Sequence, residues 1–297
     1  MAAKQFVEVE GRRLALTNLD KVLYAGSGFT KAQVIDYYIR IAPVLLPHFG
    51  GRPVTMNRFP DGAGTKGFYE KDAPGFTPEW VRTTEVPRSG GGEPIRYICI
   101  DDLPTLIWCA NLASLELHPF LHKAGALDQP TMMVFDLDPG EGVDLTACAE
   151  VALLLRELLA RAGLQGFPKV SGSKGLQVYV PLNSTVRYED SRNAAQAVAM
   201  LLQQQHPKLV VADMAKQRRR GKVFIDWSQN SDFKTTIGVY SLRAKRGVPY
   251  VSAPVSWDEV ASQPSTLVFE AGALLGRVTQ LGDLFAPVLT LRQQLTL

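Results

Sequence analysis

Apolar and polar residues alternate near the start of the chain, which predicts a short β-hairpin, and a helical pattern follows. The alternation spans residues 6–16 and is interrupted at Gly11, as is typical of two paired strands joined by a turn. Thr30 is a favourable N-cap residue, and apolar residues recur after it at helical spacing. Further patterns predict strands over 53–59 and 95–100 and a mostly buried helix over 103–117.

The segment between those two strands is rich in glycine and proline. Both residue types recur throughout 60–94, including a run of glycines at 90–92. This composition is typical of a surface loop, and long loops within compact domains are often functional. We therefore expect 60–94 to be an extended loop.

The second half alternates between strand and helix patterns. Strands are expected over 131–137, 176–181, 208–212 and 222–227, and helices over 144–162, before Gly163, and over about 190–205. This order indicates an α/β protein with mixed (α+β) sheets backed by helices. The length of 297 residues allows two lobes that share one cleft.

Composition excludes several classes of protein. The chain is 46% hydrophobic and 21% charged, as in folded globular proteins, and its net charge of +3 does not by itself indicate a polyanionic partner. Cys99, Cys109 and Cys148 lack CxxC spacing, so neither a disulfide framework nor a zinc site is indicated. The N-terminus lacks a signal-peptide pattern, and no segment has about 18 successive apolar residues. We expect a soluble, cytoplasmic protein without membrane contact.

Acidic residues interrupt two apolar strands of the second half. Asp136 and Asp138 occupy alternate positions in the run 132–138, so both carboxylates project on one face. Asp226 interrupts the run 223–227 in the same way. If these strands are neighbours, three carboxylates share one site, where a divalent metal would offset their repulsion. Three carboxylates can bridge two metal ions, and such a pair of metal ions suits nucleotidyl transfer to a primer hydroxyl.

The residues alone leave alternatives open. Asp136 and Asp138 could instead cap a turn, and Asp226 could face solvent.

Between the two acidic strands lies the loop SGSKG at 171–175, whose small residues, N–H groups and ammonium can cradle phosphates. It lacks the spacing of a Walker A motif, and a simple glycine turn is the alternative.

Together these motifs resemble the polymerase domain of bacterial ligase D, within the archaeo-eukaryotic primase superfamily, which serves non-homologous end joining. The resemblance covers nearly the whole chain. It implies a primase-polymerase catalytic core with a small α/β lobe over about 1–125 packed on an RRM-like lobe over about 126–297, the acids lying between them. The matching motifs are LTNLDKVLY at 16–24, FDLDPGEG at 135–142, SGSKGL at 171–176, DWSQN at 226–230 and YSLR at 240–243.

The resemblance assigns the three aspartates as catalytic ligands of Mn²⁺ or Mg²⁺. It places Ser171, Lys174 and Arg243 around an incoming NTP or dNTP, with Arg243 as a bidentate phosphate clamp. Without the family, Arg243 would be taken for an ordinary surface arginine. The family pattern SGxKGxH is broken by Gln177, which replaces a histidine that contacts the nucleotide's phosphates. Gln177 can donate a hydrogen bond but is uncharged, so we expect weaker triphosphate binding or turnover.

The resemblance also implies contacts with DNA. Lys21 and Lys31 match lysines that bind the 5′-phosphate of the downstream strand, and a helix N-terminus at Thr30 would favour that anion. Phe68 and Tyr69 match an aromatic pair that stacks on template bases. From the residues alone, the lysines would be solvated and the aromatic pair would pack beneath the loop.

Two further features have no settled role. His118 matches a histidine that the family retains, and we expect it to be structural or supporting rather than catalytic. The basic run 216–222 leads into the Asp226 strand and either follows a nucleic-acid backbone or forms a solvated turn.

The sequence thus predicts a monomeric DNA-directed nucleotidyltransferase that extends a 3′ hydroxyl at gaps and double-strand-break ends and associates with the nucleoid during repair. Two other functions remain compatible with it: a metal-dependent phosphodiesterase or nuclease, and a catalytically weakened module that binds DNA ends or nucleotides. Ku and a DNA ligase are partners implied by the resemblance. A stand-alone protein and an excised domain both remain open.

Overall fold

The computed structural model describes residues 4–245 and 247–295. Within them the strands are β1 (Lys4–Val9), β2 (Arg12–Thr17), β3 (Val22–Tyr24), β4 (Phe29–Thr30), β5 (Pro53–Arg58), β6 (Phe68–Glu70), β7 (Thr83–Val86), β8 (Ile95–Cys99), β9 (Ser114–Pro119), β10 (His122–Lys123), β11 (Ala126–Pro130), β12 (Met132–Pro139), β13 (Phe167–Val170), β14 (Leu176–Pro181), β15 (Val210–Val211), β16 (Val223–Asp226), β17 (Leu242–Arg243) and β18 (Tyr250–Val251). The α-helices are α1 (Lys31–Phe49), α2 (Leu103–Asn111), α3 (Leu145–Arg161), α4 (Tyr188–Gln205), α5 (Trp257–Ser262), α6 (Ala271–Leu281) and α7 (Pro287–Thr290).

Contacts within the chain define two compact units, each built from several segments. The first unit contains Met1–Phe120, Ile237–Ser252 and Phe269–Gly282, and the second contains Leu121–Thr236, Ala253–Val268 and Asp283–Leu297. The first division lies close to the boundary expected near residue 125. Two later segments that the sequence analysis placed in the second lobe belong instead to the first unit.

The first unit is organised around β5. This strand pairs antiparallel with β6, β8 and β9, and β7 extends the sheet from β8. Helices α1 and α2 pack together, and Tyr37, Tyr38 and Phe49 of α1 are fully buried. The buried tyrosine hydroxyls donate to backbone carbonyls, Tyr37 to Tyr240 at 2.7 Å and Tyr38 to Leu115 at 2.8 Å. These two buried hydroxyls are therefore satisfied within the core.

The second unit contains a five-stranded mixed sheet in the order β13-β14-β12-β16-β15. Only the β15–β16 pair is parallel among these described strands. Met133 of β12 lines an apolar cavity together with Leu158 of α3 and Ala194 of α4, so this face of the sheet is covered by helices. Because side chains alternate along a strand, Asp136 and Asp138 project from the opposite face.

The prediction of one helix over 103–117 is wrong. Helix α2 ends at Asn111, Ala113 has a φ of 57°, and Ser114–Pro119 forms strand β9, which pairs with β5. The residues of β9 alternate polar and apolar from Ser114 to His118, a strand pattern that the prediction of one continuous helix overlooked; all six of its residues are buried. The 60–94 segment likewise contains two short strands, β6 and β7.

Most other predicted elements are present, including the first hairpin, the helix after Thr30 and the strand at 176–181. The predicted fold class, α/β with mixed sheets, is confirmed. Among the described helices, none combines the length and apolar character required to cross a bilayer.

Candidate active site

The three aspartates lie on one face of the second unit's sheet. Asp136 of β12 is directly opposite Asp226 of β16, and Asp138 follows two residues further along β12. Directly opposed residues of antiparallel strands point to the same face, with Cβ atoms about 4.5–5.5 Å apart. The condition stated in the sequence analysis, that the two acid-bearing strands are neighbours, is therefore met.

This register extends across the sheet as one row of polar side chains. Gln177 of β14 is opposite Asp136, and Lys169 of β13 is opposite Gln177. Lys169 is 1% exposed and lies 5.4 Å from the ring centre of Tyr179. The row therefore runs from a buried ammonium through an amide to two carboxylates.

The electrostatics of this row disfavour the ionised form of Asp136. Burial and, next, the carboxylate of Asp138 raise the pKa of Asp136 to about 7, and Asp226 adds to the rise. A hydrogen bond from Gln177 and the charge of Lys169 act in the opposite direction. A divalent cation beside these carboxylates would relieve the repulsion, and oxygen donors of this type are the ligands that hard cations prefer.

The side chain of Asp226 is engaged by its own turn. Its Oδ1 accepts hydrogen bonds from the backbone N–H and the hydroxyl of Ser228, at 3.0 and 2.5 Å, and its Oδ2 accepts from Gln229 Nε2 at 2.9 Å. Lys234 Nζ donates to the Ser228 hydroxyl at 2.6 Å. Over the described part of the chain, no group of three His, Cys, Asp or Glu side chains is arranged closely enough to bind a metal ion without rearrangement. A metal ion bound to Asp226 would therefore share the carboxylate oxygens of Asp226 with the hydrogen-bond donors of Ser228 and Gln229.

Gln177 is the buried member of this row next to Asp136. It is 2% exposed, donates to Asp136 and accepts a hydrogen bond from the Tyr179 hydroxyl at 3.3 Å. That hydroxyl is 2.9 Å from the hydroxyl of Thr236. The residue that replaces the family histidine is thus part of a buried hydrogen-bonded chain that ends at Asp136.

The 171–175 loop lies against the end of the acidic strand. Ser171 Oγ accepts from the N–H groups of Ser173 and Gly175, at 3.3 and 3.2 Å, which closes a tight turn. A Cβ atom on Gly175 would lie 2.4 Å from the carbonyl oxygen of Leu137 and 3.3 Å from Oδ1 of Asp138. This close backbone approach requires glycine and places the loop beside the aspartates. Lys174 is exposed at the loop tip.

The basic run 216–222 also contacts the end of β12. Gly140 N donates to the carbonyl of Lys222 at 2.9 Å, and a Cβ atom on Gly140 would clash with the Arg219 carbonyl. Arg219 stacks on Phe224 with its guanidinium carbon 3.5 Å from the ring centre, and Arg220 is exposed. The run is therefore anchored to the strand that carries Asp136 and Asp138.

In the first unit, Arg243 is not a surface residue. It is 9% exposed, and its Nε lies 3.4 Å from Oε1 of Glu116 in β9. Glu116 also lies 3.1 Å from Nε2 of His118. The sequence analysis did not identify Glu116, because the segment that contains it was treated as helix.

The structure brings Lys21 and Lys31 together. The backbone N–H of Lys31 donates to the Lys21 carbonyl at 2.8 Å, and Lys31 is the first residue of α1. Lys31 Nζ donates to the Thr17 carbonyl at 2.7 Å, whereas Lys21 pairs with Asp61 at 3.3 Å. Burial and then the charges of Lys21 and Arg58 lower the pKa of Lys31 to about 8. Lys31 is therefore a buried ammonium among other cations and not a solvated lysine.

The predicted stacking pair is exposed. Phe68 is 45% and Tyr69 is 61% exposed, both on the short strand β6. The guanidinium of Arg58 lies 5.2 Å from the ring centre of Phe68, and the Tyr69 ring meets the His118 ring edge to face at 5.6 Å. The alternative, in which both aromatic residues pack beneath a loop, does not describe these positions.

The mixed sheet carries three aspartates on one face, flanked by a glycine loop, an arrangement that suits metal-dependent nucleotidyl transfer. Residues 30–285 match the family described as "LigD, primase-polymerase domain". The chain belongs to this family, whose members are DNA-directed nucleotidyltransferases.

Related proteins agree with this assignment. The multifunctional non-homologous end joining protein LigD of Mycolicibacterium smegmatis is 44% identical over 93% of this chain and 36% of its own length. The bifunctional LigD of Bacillus subtilis is 32% identical over 91% of this chain and 43% of its own length. The chain therefore spans well under half of these relatives.

A solved structure shares the fold. The polymerase domain of Mycobacterium tuberculosis ligase D in complex with DNA superposes with a TM-score of 0.88 at 41% identity, covering 93% of this chain and 98% of that chain. The fold expected from the resemblance is therefore confirmed.

Proposed function

We propose that this chain extends a 3′ hydroxyl at gaps and double-strand-break ends, using Asp136, Asp138 and Asp226 to hold Mn²⁺ or Mg²⁺. The observation that carries the proposal is the register of β12 and β16, which places the three carboxylates on one face beside a glycine loop. When bound by these carboxylates, a divalent metal would supply activation of the primer hydroxyl and neutralisation of charge on the triphosphate. The protein itself holds in place the three carboxylates that would bind the metal.

The other candidate residues also have parts in this proposal. Ser171 shapes the loop, and Lys174 offers an exposed ammonium to the phosphates of an NTP or dNTP. Arg243 contributes a guanidinium that can bind phosphate oxygens bidentately. Gln177, which is buried, acts through its hydrogen bond to Asp136 and not through a direct charge on the nucleotide.

DNA contacts are assigned to the first unit. Lys21 and Lys31 bind the 5′-phosphate of the downstream strand, since two cations beside a helix N-terminus favour an anion. Phe68 and Tyr69 stack on template bases, which suits their exposure. Gapped DNA and DNA ends are thus the proposed substrates, with Ku and a DNA ligase as partners and a monomer as the acting form.

The test is extension of a labelled primer in gapped DNA with a downstream 5′-phosphate, in Mn²⁺, with either NTPs or dNTPs. Asp136→Asn keeps the side-chain volume but removes the charge, so we expect extension to fall at least about a hundredfold, because metal binding depends on that carboxylate. Asp128→Asn changes an exposed aspartate of the same unit and should leave extension unchanged.

Other outcomes would favour the two remaining functions. Shortening of the primer, lost in Asp136→Asn, would identify a nuclease. Binding of the gapped DNA without extension would indicate an end-binding module. In that case Gln177→His tests whether the missing histidine is the cause, since restored extension would assign the loss to this one position.

A further inference from the structure

A buried glutamate lies at the centre of a polar cluster in the first unit. Glu116 is 1% exposed and belongs to β9. Its carboxylate accepts hydrogen bonds from Asn57 Nδ2 at 3.0 Å and from the backbone N–H of Ala244 at 3.1 Å. It also lies 3.1 Å from His118 Nε2 and 3.4 Å from Arg243 Nε. Residues of three strands therefore converge on one carboxylate.

The cluster keeps Glu116 ionised. Burial alone raises the pKa of Glu116, but the hydrogen bond from His118 and the charge of Arg243 outweigh this effect and lower the pKa to about 2. A buried carboxylate is unfavourable unless donors surround it, and here both of its oxygens have them. Glu116 therefore presents a fixed negative charge to Arg243 at neutral pH.

The backbone that carries Arg243 is also held in place. Leu117 N donates to the Ser241 hydroxyl at 2.8 Å, and the Tyr240 carbonyl accepts from the Tyr37 hydroxyl at 2.7 Å. Tyr240 itself has a φ of 65°, an uncommon conformation for a bulky residue. Glu116 adds a contact to the backbone just beyond Arg243 and a contact to the Arg243 side chain, so it constrains both.

The ion pair with Glu116 is made at Nε, the guanidinium nitrogen nearest the backbone. The planar guanidinium can still present its terminal nitrogens as a fork to phosphate oxygens. An arginine that is oriented before the ligand arrives loses less side-chain entropy when it binds.

We propose that Glu116 is a positioning residue for the nucleotide triphosphate: it holds Arg243 in its binding orientation and does not touch the nucleotide itself. This inference rests on the proposed role of Arg243 as a phosphate clamp. His118 shares the same carboxylate, so its ring orientation depends on Glu116 as well.

The test measures nucleotide binding without turnover. Titration calorimetry of the full chain with ATP and with AMP, in Mn²⁺ and without DNA, compares wild type with Glu116→Gln. We expect the ATP affinity to fall about tenfold, the effect of losing one charge-assisted contact. AMP binding should change little, because AMP lacks the outer phosphates. A purely structural role would lower both affinities together.

A double-mutant cycle shows whether Glu116 acts through Arg243. Arg243→Met should itself weaken ATP binding, and adding Glu116→Gln to it should cause little further loss. Asp101→Asn is the matched control: it removes the acid of another acid–arginine pair of this unit, with Arg82 at 3.0 Å, and should leave ATP binding unchanged.

The outcomes separate the inference from the proposed function. Unchanged ATP binding in folded Glu116→Gln, with loss in Arg243→Met, overturns the positioning role alone. Unchanged binding in Arg243→Met removes the assignment of Arg243, and the inference with it. If Glu116→Gln does not fold, Asn57→Ala takes its place, since it removes one donor to Glu116 and should lower the ATP-to-AMP affinity ratio in the same direction; an unchanged ratio would overturn the inference.

Discussion

Asp136 is held where its charge is unfavourable in the metal-free protein. Its pKa is raised to about 7, chiefly by burial and by Asp138, from an ordinary value of 3.8. Between those limits the folded chain binds the proton more tightly than the unfolded chain does. The contribution of Asp136 to the free energy of unfolding therefore decreases as the pH rises from about 4 to about 7 and is constant above that range.

Replacing Asp136 should therefore stabilise the metal-free chain at high pH. We expect Asp136→Asn to have a free energy of unfolding higher than wild type by roughly 2–4 kcal/mol at pH 8, and the gain to vanish near pH 4. Urea unfolding with a chelator present measures both. Asp128→Asn should show no such pH dependence, and a gain that is constant across pH would contradict the explanation.

The backbone packing around Gly175 leaves no space for a side chain. A methyl group in Gly175→Ala would meet the Leu137 carbonyl oxygen at 2.4 Å and Oδ1 of Asp138 at 3.3 Å, so one of the two backbone segments must shift. We expect a loss of about 1–3 kcal/mol in the free energy of unfolding together with slower primer extension.

The control for Gly175→Ala is Gly276→Ala in α6, where no atom lies within 4 Å of the added Cβ. This variant should be as stable as wild type or slightly more so, since alanine favours the helix. Urea titration of both variants provides the comparison. Equal stability of Gly175→Ala and wild type would show that the loop can move away from β12.

At the scale of elements, α1 begins with a complete capping box. Gln33 N donates to the Thr30 hydroxyl at 3.4 Å, and Thr30 N donates to Gln33 Oε1 at 2.8 Å. Thr30→Ala should lower the free energy of unfolding, measured by urea titration, by about 1 kcal/mol. Thr30→Ser keeps the capping hydroxyl and should therefore lose much less stability. Equal losses in the two variants would assign the effect to the methyl group instead.

The elements also show what the sequence could and could not predict. The Thr30 cap and the acid-bearing strands have local signals, so both were predictable. The pairing of Asp136 with Asp226 could only be stated as a condition, because strand neighbours are set by contacts far apart in sequence. Glu116 was missed because the helix was extended over β9, although the polar–apolar alternation from Ser114 to His118 is a local strand signal that could have identified it. Its partner Ala244 lies more than a hundred residues away.

At the scale of the whole molecule, the net charge of +3 is too small to attract DNA without local clusters. Lys21, Lys31 and Arg58 form one such cluster. We expect Lys31→Gln to reduce the slope of log affinity against log salt concentration by about one on gapped DNA with a 5′-phosphate. The slope should be unchanged on the same DNA with a 5′-hydroxyl.

Fluorescence anisotropy over a salt series measures this slope. Lys208→Gln, which removes an exposed lysine of the second unit, is the control and should affect both DNA substrates alike. An equal change in slope for Lys31→Gln on the two substrates would show that Lys31 contributes only general charge and does not recognise the terminal phosphate.

The alternation of the chain between its two units affects how the protein is made. The first unit is completed only by Phe269–Gly282, and the second only by the segment that begins at Asp283. A ribosome must therefore translate at least as far as Gly282 before the first unit has all of its parts, and further still for the second. The nascent chain remains incomplete, and open to chaperones and proteases, for longer than one whose domains follow each other in sequence.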